Sequence, residues 1–165
     1  MNLRHVLISI LMIFAGSFPS YADTQTWYFV RHFEKQIGDN PHLTKIGQAR
    51  AKQLAEFFAS KEIHAIYSTH YNRTQQTATP VAESKSLEIL TYNPSQLSEF
   101  AEELKSLNFV LVVGHSNTTP ELLELMGGEV IHMEESDYGV VYQLQNSDGE
   151  FTTQSDLIPS KLLLL

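Results

Sequence analysis

Short apolar runs alternate with helix-length amphipathic stretches along this chain, and this alternation limits the fold more than any other feature. The runs are rich in β-branched and aromatic residues, which favour strands, and cover residues 26–30, 63–68, 87–91 and 109–113. A stretch with helical spacing separates each run from the next. Because a β-α-β order places helices over a parallel sheet, we predict an α/β three-layer sandwich with a mostly parallel central sheet.

Capping residues and apolar spacing predict four helices. Thr44 is a good N-cap, prolines favour first turns, and Gly127-Gly128 is typical of a helix end. The predicted helices run from Thr44 to about Ser60, over 73–86 with a kink or restart at Pro80, from Pro94 through Leu107, and over 121–126.

Two strand-like segments at the end of the chain, residues 138–144 and 151–155, flank Asp148-Gly149. Asp-Gly between alternating apolar residues is a strong hairpin signal. We therefore predict that this hairpin adds an antiparallel edge to the sheet.

The first 22 residues differ from the rest. Arg4 and His5 precede an apolar run over 6–18, and small residues at positions 20 and 22 suit cleavage before Asp23. We predict a signal peptide over 1–22, a single exported domain over 23–165, and a periplasmic location if the host is Gram-negative, otherwise secretion. A membrane anchor is the alternative, but the apolar run is shorter than the ~20 residues of a spanning helix. Residues 162–165, all leucine, are interpreted as a packed or frayed end.

Composition excludes several functions. Nineteen acidic residues against eleven Lys and Arg give a formal charge of −8, which argues against nucleic acid as a partner. The chain contains no cysteine, which excludes disulfides, thiolate nucleophiles and cysteine-based metal sites. The acidic surface favours a soluble monomer with no membrane insertion after cleavage.

Cationic and imidazole side chains follow three of the predicted strands. They are Arg31-His32, Arg73 within the segment 68–73, and His115 after Gly114. Because ligands bind outside the carboxyl ends of strands in an open α/β sheet, we expect these groups to form one anion site. Arginine forks match phosphate oxygens, although they also bind sulfate and carboxylates. Histidine adds a nucleophile that can attack phosphorus.

Four segments in a fixed order carry a family resemblance: residues 31–35 (RHFEK), 43–49 (LTKIGQA), 68–78 (STHYNRTQQTA) and 112–117 (VVGHSN). In this pattern the chain resembles the histidine phosphatase superfamily, also called the phosphoglycerate-mutase-like family. The resemblance spans residues 26 to about 145. It implies the fold of that family and a phosphatase activity.

The resemblance also implies a role for each matched residue. His32 would be the nucleophile that accepts the phosphoryl group, Arg31 and Arg73 would hold the phosphoryl oxygens, and His115, as a neutral ring or as a cation, would donate a hydrogen bond to the same group. No metal or cofactor is implied. Asn117, near a helix start, would add a substrate-binding donor. We expect activity to fall as His32 protonates near pH ~6.5.

The general acid is the open position. Members of this family usually carry an acidic residue after the second arginine segment or beside the second histidine, whereas Ser116-Asn117 follow His115 here. The candidates are Glu83, Glu99 and Glu121, and the sequence does not choose among them. This departure leaves the substrate class open more than the reaction class.

Other residues near these motifs have structural interpretations as well. Glu34 and Lys35 match the family pattern but equally suit a surface ion pair, and Thr44 and Gly47 suit a helix cap and a packing contact. His42 and His70 fall near the expected mouth of the site. The histidines show no HExxH spacing, so a metal site is not predicted.

We therefore predict an exported, metal-independent phosphatase that hydrolyses phosphomonoesters, on sugars or envelope polysaccharide in particular, through a phosphohistidine. A catalytically idle phosphate- or sugar-phosphate-binding module is the alternative from another class, although a binder needs no nucleophile. A phosphohistidine phosphatase and a phosphomutase are further alternatives within the family. The first acts on cytoplasmic partners, and the second usually needs a longer chain and a bisphosphate.

Overall fold

A computed structural model describes residues 24–160, so the predicted signal peptide and Leu162–Leu165 lie outside the described residues. These residues form a six-stranded sheet and four helices. The strands are β1 (Gln25–Arg31), β2 (Ala65–Ser68), β3 (Ile89–Thr91), β4 (Val110–Gly114), β5 (Val140–Ser147) and β6 (Glu150–Leu157). The helices are α1 (Lys45–Phe58), α2 (Asn72–Lys85), α3 (Leu97–Lys105) and α4 (Thr118–Leu125).

The sheet has the strand order β3-β2-β4-β1-β5-β6. The first four strands of the chain run parallel, and β5 and β6 pair antiparallel at the edge. Asp148 and Gly149, at φ 54° and 89°, form the two-residue turn between β5 and β6, as expected when both central residues are left-handed. The predicted mostly parallel sheet with an antiparallel edge is confirmed.

Two hydrophobic layers cover the sheet. Successive residues of β1 point to opposite faces, so Tyr28 and Val30 join the core beneath α1 and α2, whereas Trp27 and Phe29 join the core beneath α3 and α4. All five residues of β4 are buried, as expected for a central parallel strand. Trp27 also donates a 2.8 Å hydrogen bond from its indole nitrogen to the carbonyl of Leu104 in α3. The predicted three-layer sandwich is confirmed.

Three helices differ from the sequence prediction. Helix α2 continues through Pro80 without a restart, and the hydroxyls of Thr77 and Thr79 donate to carbonyls one turn earlier. Helix α3 begins at Leu97 rather than Pro94, because the Asn93 side chain accepts from the Ser95 amide and makes a turn first. Helix α4 begins three residues before the predicted 121.

The other predicted features of the helices agree with the structure. Thr44 caps α1, accepting a 3.1 Å hydrogen bond from the Gly47 amide. Gly47 packs directly against the backbone of Glu34, as the packing interpretation expects. Within residues 24–160, every helix is too short or too polar to cross a bilayer.

Candidate active site

The carboxyl ends of β1, β2 and β4 meet at one edge of the sheet. Arg31 is in register with Gly114, and Ser68 is in register with Val113. The three segments that follow these strands therefore border one cavity of about 360 Å³. It is lined by His32, Lys35, Tyr71, Arg73, Pro94, Ser95, His115, Ser116, Asn117, Thr118 and Glu135.

His32 is held from both its backbone and its ring. Its amide donates to the carbonyl of Gly114 at 2.9 Å, and its ring Nδ1 lies 2.8 Å from the carbonyl oxygen of Phe33. A carbonyl oxygen only accepts, so Nδ1 carries the proton and Nε2 keeps its lone pair. Burial, followed by the positive charges of Arg31 and Arg73 and by His115, lowers the pKa of His32 to about 3. The pKa near 6.5 expected from the sequence is wrong for this buried ring.

Arg31 has 2% of its surface exposed, and the loop between α4 and β5 holds its guanidinium. Nη1 donates to the carbonyls of Glu134 and Asp137 at 2.7 and 3.1 Å. Nη2 donates to the Glu135 carboxylate at 3.1 Å, and the guanidinium lies 4.3 Å from the centre of the Tyr138 ring. Nε is buried and has no hydrogen-bond partner within residues 24–160. These contacts fix the position of the guanidinium while leaving one buried donor free.

His115 faces His32 across the site, with 5.5 Å between the ring centres. Its Nδ1 lies 3.4 Å from Nη2 of Arg73, a cation that only donates, so Nδ1 acts as the acceptor. Its Nε2 then carries the proton and donates to the Thr69 hydroxyl at 3.0 Å, which in turn lies 2.8 Å from the Thr74 hydroxyl. The Arg73 guanidinium thus fixes the tautomer of His115, and the buried Thr69 hydroxyl accepts its ring proton.

The pKa of His115 is also low. Burial, then the charges of Arg73 and Arg31, lower it to about 4. His115 is therefore neutral in this state of the site rather than a cation. A bound phosphoryl dianion would raise the pKa, because it stabilises the imidazolium.

Two helices begin at the cavity. Arg73 lies in the first turn of α2, 4.6 Å from the centre of the Tyr71 ring, and its Nε is buried without a hydrogen-bond partner within residues 24–160. Asn117 and Thr118, at the start of α4, line the opposite part of the cavity. Free amides and the helix dipole make both N-termini favourable for an anion. Arg31, Arg73 and these two helix ends therefore concentrate positive potential next to His32.

The turn between β4 and α4 depends on close backbone packing at Gly114. A Cβ at this position would lie 2.8 Å from both the Thr118 and the Tyr92 hydroxyl oxygens. The Thr118 hydroxyl instead accepts a 2.9 Å hydrogen bond from the His115 amide. A glycine before His115 thus allows the tight turn that directs His115 into the site.

Glu135 is a site residue that the sequence did not indicate. Its carboxylate accepts from the Ser116 hydroxyl at 2.9 Å and from Arg31 Nη2 at 3.1 Å, while 80% of its side chain stays exposed. The hydrogen bond from Ser116, then the charge of Arg31, lower the pKa of Glu135. The segment before β5 has no apolar periodicity, so no sequence signal placed Glu135 at a strand end or on a helix face.

The structure places the other predicted site residues as follows. Asn117 lines the cavity, whereas none of the three candidate general acids, Glu83, Glu99 and Glu121, does so. All three are exposed on helices. Glu83 lies in the last turn of α2, ten residues or about 15 Å of helix beyond Arg73. These three carboxylates are therefore solvent-exposed charges on the helix surfaces.

Of the other residues that the sequence analysis named near the motifs, some line the cavity and others contact the scaffold. Lys35 lines the cavity, whereas Glu34 forms its ion pair with Arg50 of α1, not with Lys35. The His42 ring is hydrogen-bonded to the side chain of Gln76. The His70 ring stacks on the ring of Tyr71, with 4.4 Å between the ring centres. Neither histidine lines the cavity. Within residues 24–160, no group of three or more His, Asp and Glu side chains is arranged to hold a metal ion.

Comparison with known proteins identifies a family pattern in part of the chain. Residues 27–102 match the family model of the histidine phosphatase superfamily, branch 1. No curated protein sequence matches the chain.

Solved structures share the fold. The protein histidine phosphatase SixA, complexed with tungstate, has a TM-score of 0.65 at 14% identity, covering 80% of this chain and 96% of that one. Mycobacterial glucosyl-3-phosphoglycerate phosphatase has a TM-score of 0.64 at 12% identity, covering 81% and 98%. SixA from Agrobacterium tumefaciens has a TM-score of 0.63 at 19% identity, covering 82% and 99%. Residues 27–102 thus carry the sequence pattern of the histidine phosphatase superfamily, in a chain whose fold is that of solved histidine phosphatases.

Proposed function

We propose that this protein is an exported, metal-independent phosphatase that hydrolyses phosphomonoesters through a phosphohistidine at His32. The observation that carries the proposal is the tautomer of His32: a buried neutral imidazole presents a free Nε2 lone pair beside Arg31 and Arg73. A residue that only bound phosphate would serve better as a donor. The phosphatase neighbours and the family match support the reaction class.

In the first step, the Nε2 lone pair of His32 attacks phosphorus, and the P–O bond to the leaving group breaks with its electron pair on oxygen. Arg31 and Arg73 stabilise charge on the phosphoryl oxygens, and His115 does so once the bound dianion has raised its pKa and Nδ1 takes up a proton. In the second step, water attacks phosphorus, the P–N bond breaks, and its electrons return to Nε2. One water proton passes to solvent, the oxygen of the leaving group takes up a proton from solvent, and inorganic phosphate leaves.

Phosphorylated saccharides are the substrate class that we propose. Around the cationic centre, hydroxyl and amide side chains of Ser95, Ser116, Asn117 and Thr118 line the cavity. Such groups hydrogen-bond to sugar hydroxyls, and saccharide phosphates of the cell envelope suit an exported enzyme. One structural neighbour is named for a sugar phosphate and another for phosphohistidine on protein. Phosphohistidine is therefore the second substrate to test.

The experiment compares wild type, His32→Ala and His64→Ala on a chromogenic phosphomonoester, with and without chelator. His64 is an exposed histidine paired with Glu62, away from the cavity, so it is the matched control. We expect wild-type and His64→Ala turnover to survive chelation and His32→Ala turnover to fall by at least about 10³-fold. A folded wild type that binds phosphate without turning over any of these substrates would instead favour the idle binding module.

The export part of the proposal has its own test. The protein is expressed from its full sequence in a Gram-negative host, and the periplasmic fraction is analysed by N-terminal sequencing. We expect a mature chain that begins at Asp23. A chain that retains residues 1–22 in the cytoplasm would contradict export without affecting the catalytic proposal.

A further inference from the structure

Glu135 forms an ion pair with Arg31, the cation that would hold the phosphoryl group in the proposed function. Arg31 Nη2 donates to the Glu135 carboxylate at 3.1 Å; Glu135 lines the cavity that contains His32, and the buried Arg31 lies directly behind it, close enough for its charge to act on the His32 ring. In the proposed function Arg31 holds a phosphoryl oxygen, so the carboxylate occupies a donor that the phosphoryl group would use. Ser116, which also lines the cavity, holds the other carboxylate oxygen at 2.9 Å.

We propose that Glu135 is an affinity-setting residue: its carboxylate leaves Arg31 when a phosphoryl group binds and returns when inorganic phosphate is released. This inference rests on the proposed function, since it assigns a role within that site. It predicts that Glu135 weakens the binding of tetrahedral anions and thereby limits product inhibition.

The surrounding contacts allow this exchange. Arg31 remains anchored without Glu135, because Nη1 donates to two backbone carbonyls, of Glu134 and Asp137, and the Tyr138 ring lies against the guanidinium. The Glu135 side chain is 80% exposed, so it can turn into solvent without opening the core. Solvent screens the Glu135 side of this ion pair, which suits a contact that must break in every turnover.

Electrostatics gives the competition a signature that depends on charge. The repulsion between a fixed carboxylate and a bound anion scales with the charge of the anion. Removing the carboxylate charge should therefore favour a dianion about twice as strongly, in free energy, as a monoanion. Tungstate and perrhenate are tetrahedral oxyanions of similar size with two charges and one, so they separate charge from shape.

The experiment measures tungstate and perrhenate binding to wild type, Glu135→Gln and Glu134→Gln by calorimetry. Glu134 is the matched control: its side chain is also exposed and pairs with His132, and it contacts Arg31 through its backbone carbonyl alone. We expect Glu135→Gln to bind tungstate about fivefold more tightly, with a smaller gain for perrhenate, and Glu134→Gln to resemble wild type. Inorganic phosphate should inhibit Glu135→Gln turnover at lower concentration than wild-type turnover.

Two outcomes would overturn the inference alone. If Glu135→Gln binds tungstate no more tightly than Glu134→Gln, Glu135 does not compete for Arg31. If it binds tungstate more weakly than wild type, or loses turnover with unchanged anion affinity, the carboxylate positions Arg31 or transfers a proton instead. The proposed function survives both results. Absence of tungstate binding in all three folded proteins would overturn the anion site and this inference together.

Discussion

His32 donates a 2.8 Å hydrogen bond from Nδ1 to the carbonyl oxygen of Phe33, the next residue in the chain. The backbone amide of Phe33 donates to the hydroxyl of Thr77 in α2 at 3.1 Å, which holds the Phe33 backbone in place. Helix α2 thereby fixes the backbone that fixes the ring. The chemistry proposed for Nε2 follows from this short chain of contacts.

The position of the phosphoryl group on His32 is the first prediction. Since Nδ1 is occupied by Phe33, the phosphoenzyme should carry phosphorus on Nε2 and not on Nδ1. Rapid quenching at alkaline pH, which preserves phosphohistidine, followed by NMR of the isotope-labelled protein distinguishes the two nitrogens. An Nδ1 adduct would require the ring to break its contact with Phe33 and would contradict the mechanism.

The second prediction concerns protonation of the two site histidines. In the anion-free protein, the pKa values of His32 and His115 should lie near 3 and 4, because burial and the neighbouring cations disfavour the imidazolium. NMR titration of the histidine ring signals, assigned with His32→Gln and His115→Gln, measures these values directly. A midpoint near 6.5 for either ring would show that the site is more hydrated than its burial indicates.

The same pKa shifts have a consequence for stability. The unfolded chain protonates these histidines near pH 6.5, whereas the folded protein does so near pH 3 to 4, so the unfolded state binds more protons in between. The free energy of unfolding should therefore fall as pH decreases from about 6.5 towards 4, by up to about 1.4 kcal/mol per pH unit for each histidine. Urea unfolding of wild type and both glutamine variants across this range tests the slope.

The sequence predicted the parts of this site that depend on strand ends. Arg31 and His115 follow apolar runs, and parallel strands bring their carboxyl ends to one edge of the sheet, so their convergence required only the β-α-β order. Arg73 was predicted for the same reason, since it follows β2 in the chain. The Thr44 cap and the Asp148-Gly149 turn were predictable because each depends on local backbone chemistry.

Other features of the site depend on contacts that leave no local pattern. Glu135 reaches Arg31 from a segment without periodicity, more than one hundred residues away in sequence. Helical spacing showed that Glu99 lies on an amphipathic helix but not that its carboxylate points away from the cavity. The ordinary pKa assumed for His32 failed because burial of the ring depends on the whole sheet.

The third prediction separates two arginines, Arg73, which lines the cavity, and Arg50, which is buried in the scaffold. Arg73→Ala should lower kcat/KM by about 10² to 10³-fold, and Arg73→Lys should recover little of it, because a lysine cannot reproduce the guanidinium fork. Arg50→Met is the matched control: it removes a guanidinium that pairs with Glu34 and does not line the cavity. That variant should lower the free energy of unfolding by about 3 kcal/mol while the folded fraction keeps its kcat.

Steady-state kinetics and urea unfolding on the same preparations check both arms of this comparison. A large stability loss in Arg73→Ala with normal kcat/KM would place Arg73 in the scaffold. A loss of kcat in folded Arg50→Met would show that Glu34 communicates with His32, which it follows closely in sequence.

The fourth prediction concerns the leaving group. Among residues 24–160, Glu135 is the only carboxylate that lines the cavity, and its lowered pKa keeps it ionised, so no protonated carboxyl group of these residues faces the departing oxygen. A positioned general acid contributes about 10² to 10⁴-fold. Substrates whose leaving groups need no proton, such as nitrophenyl phosphates and phosphoimidazole, should therefore exceed alkyl phosphates in kcat by a comparable factor. Single-turnover rates across a series of aryl and alkyl phosphates measure this dependence, and equal rates throughout would mean that a proton donor reaches the site during turnover.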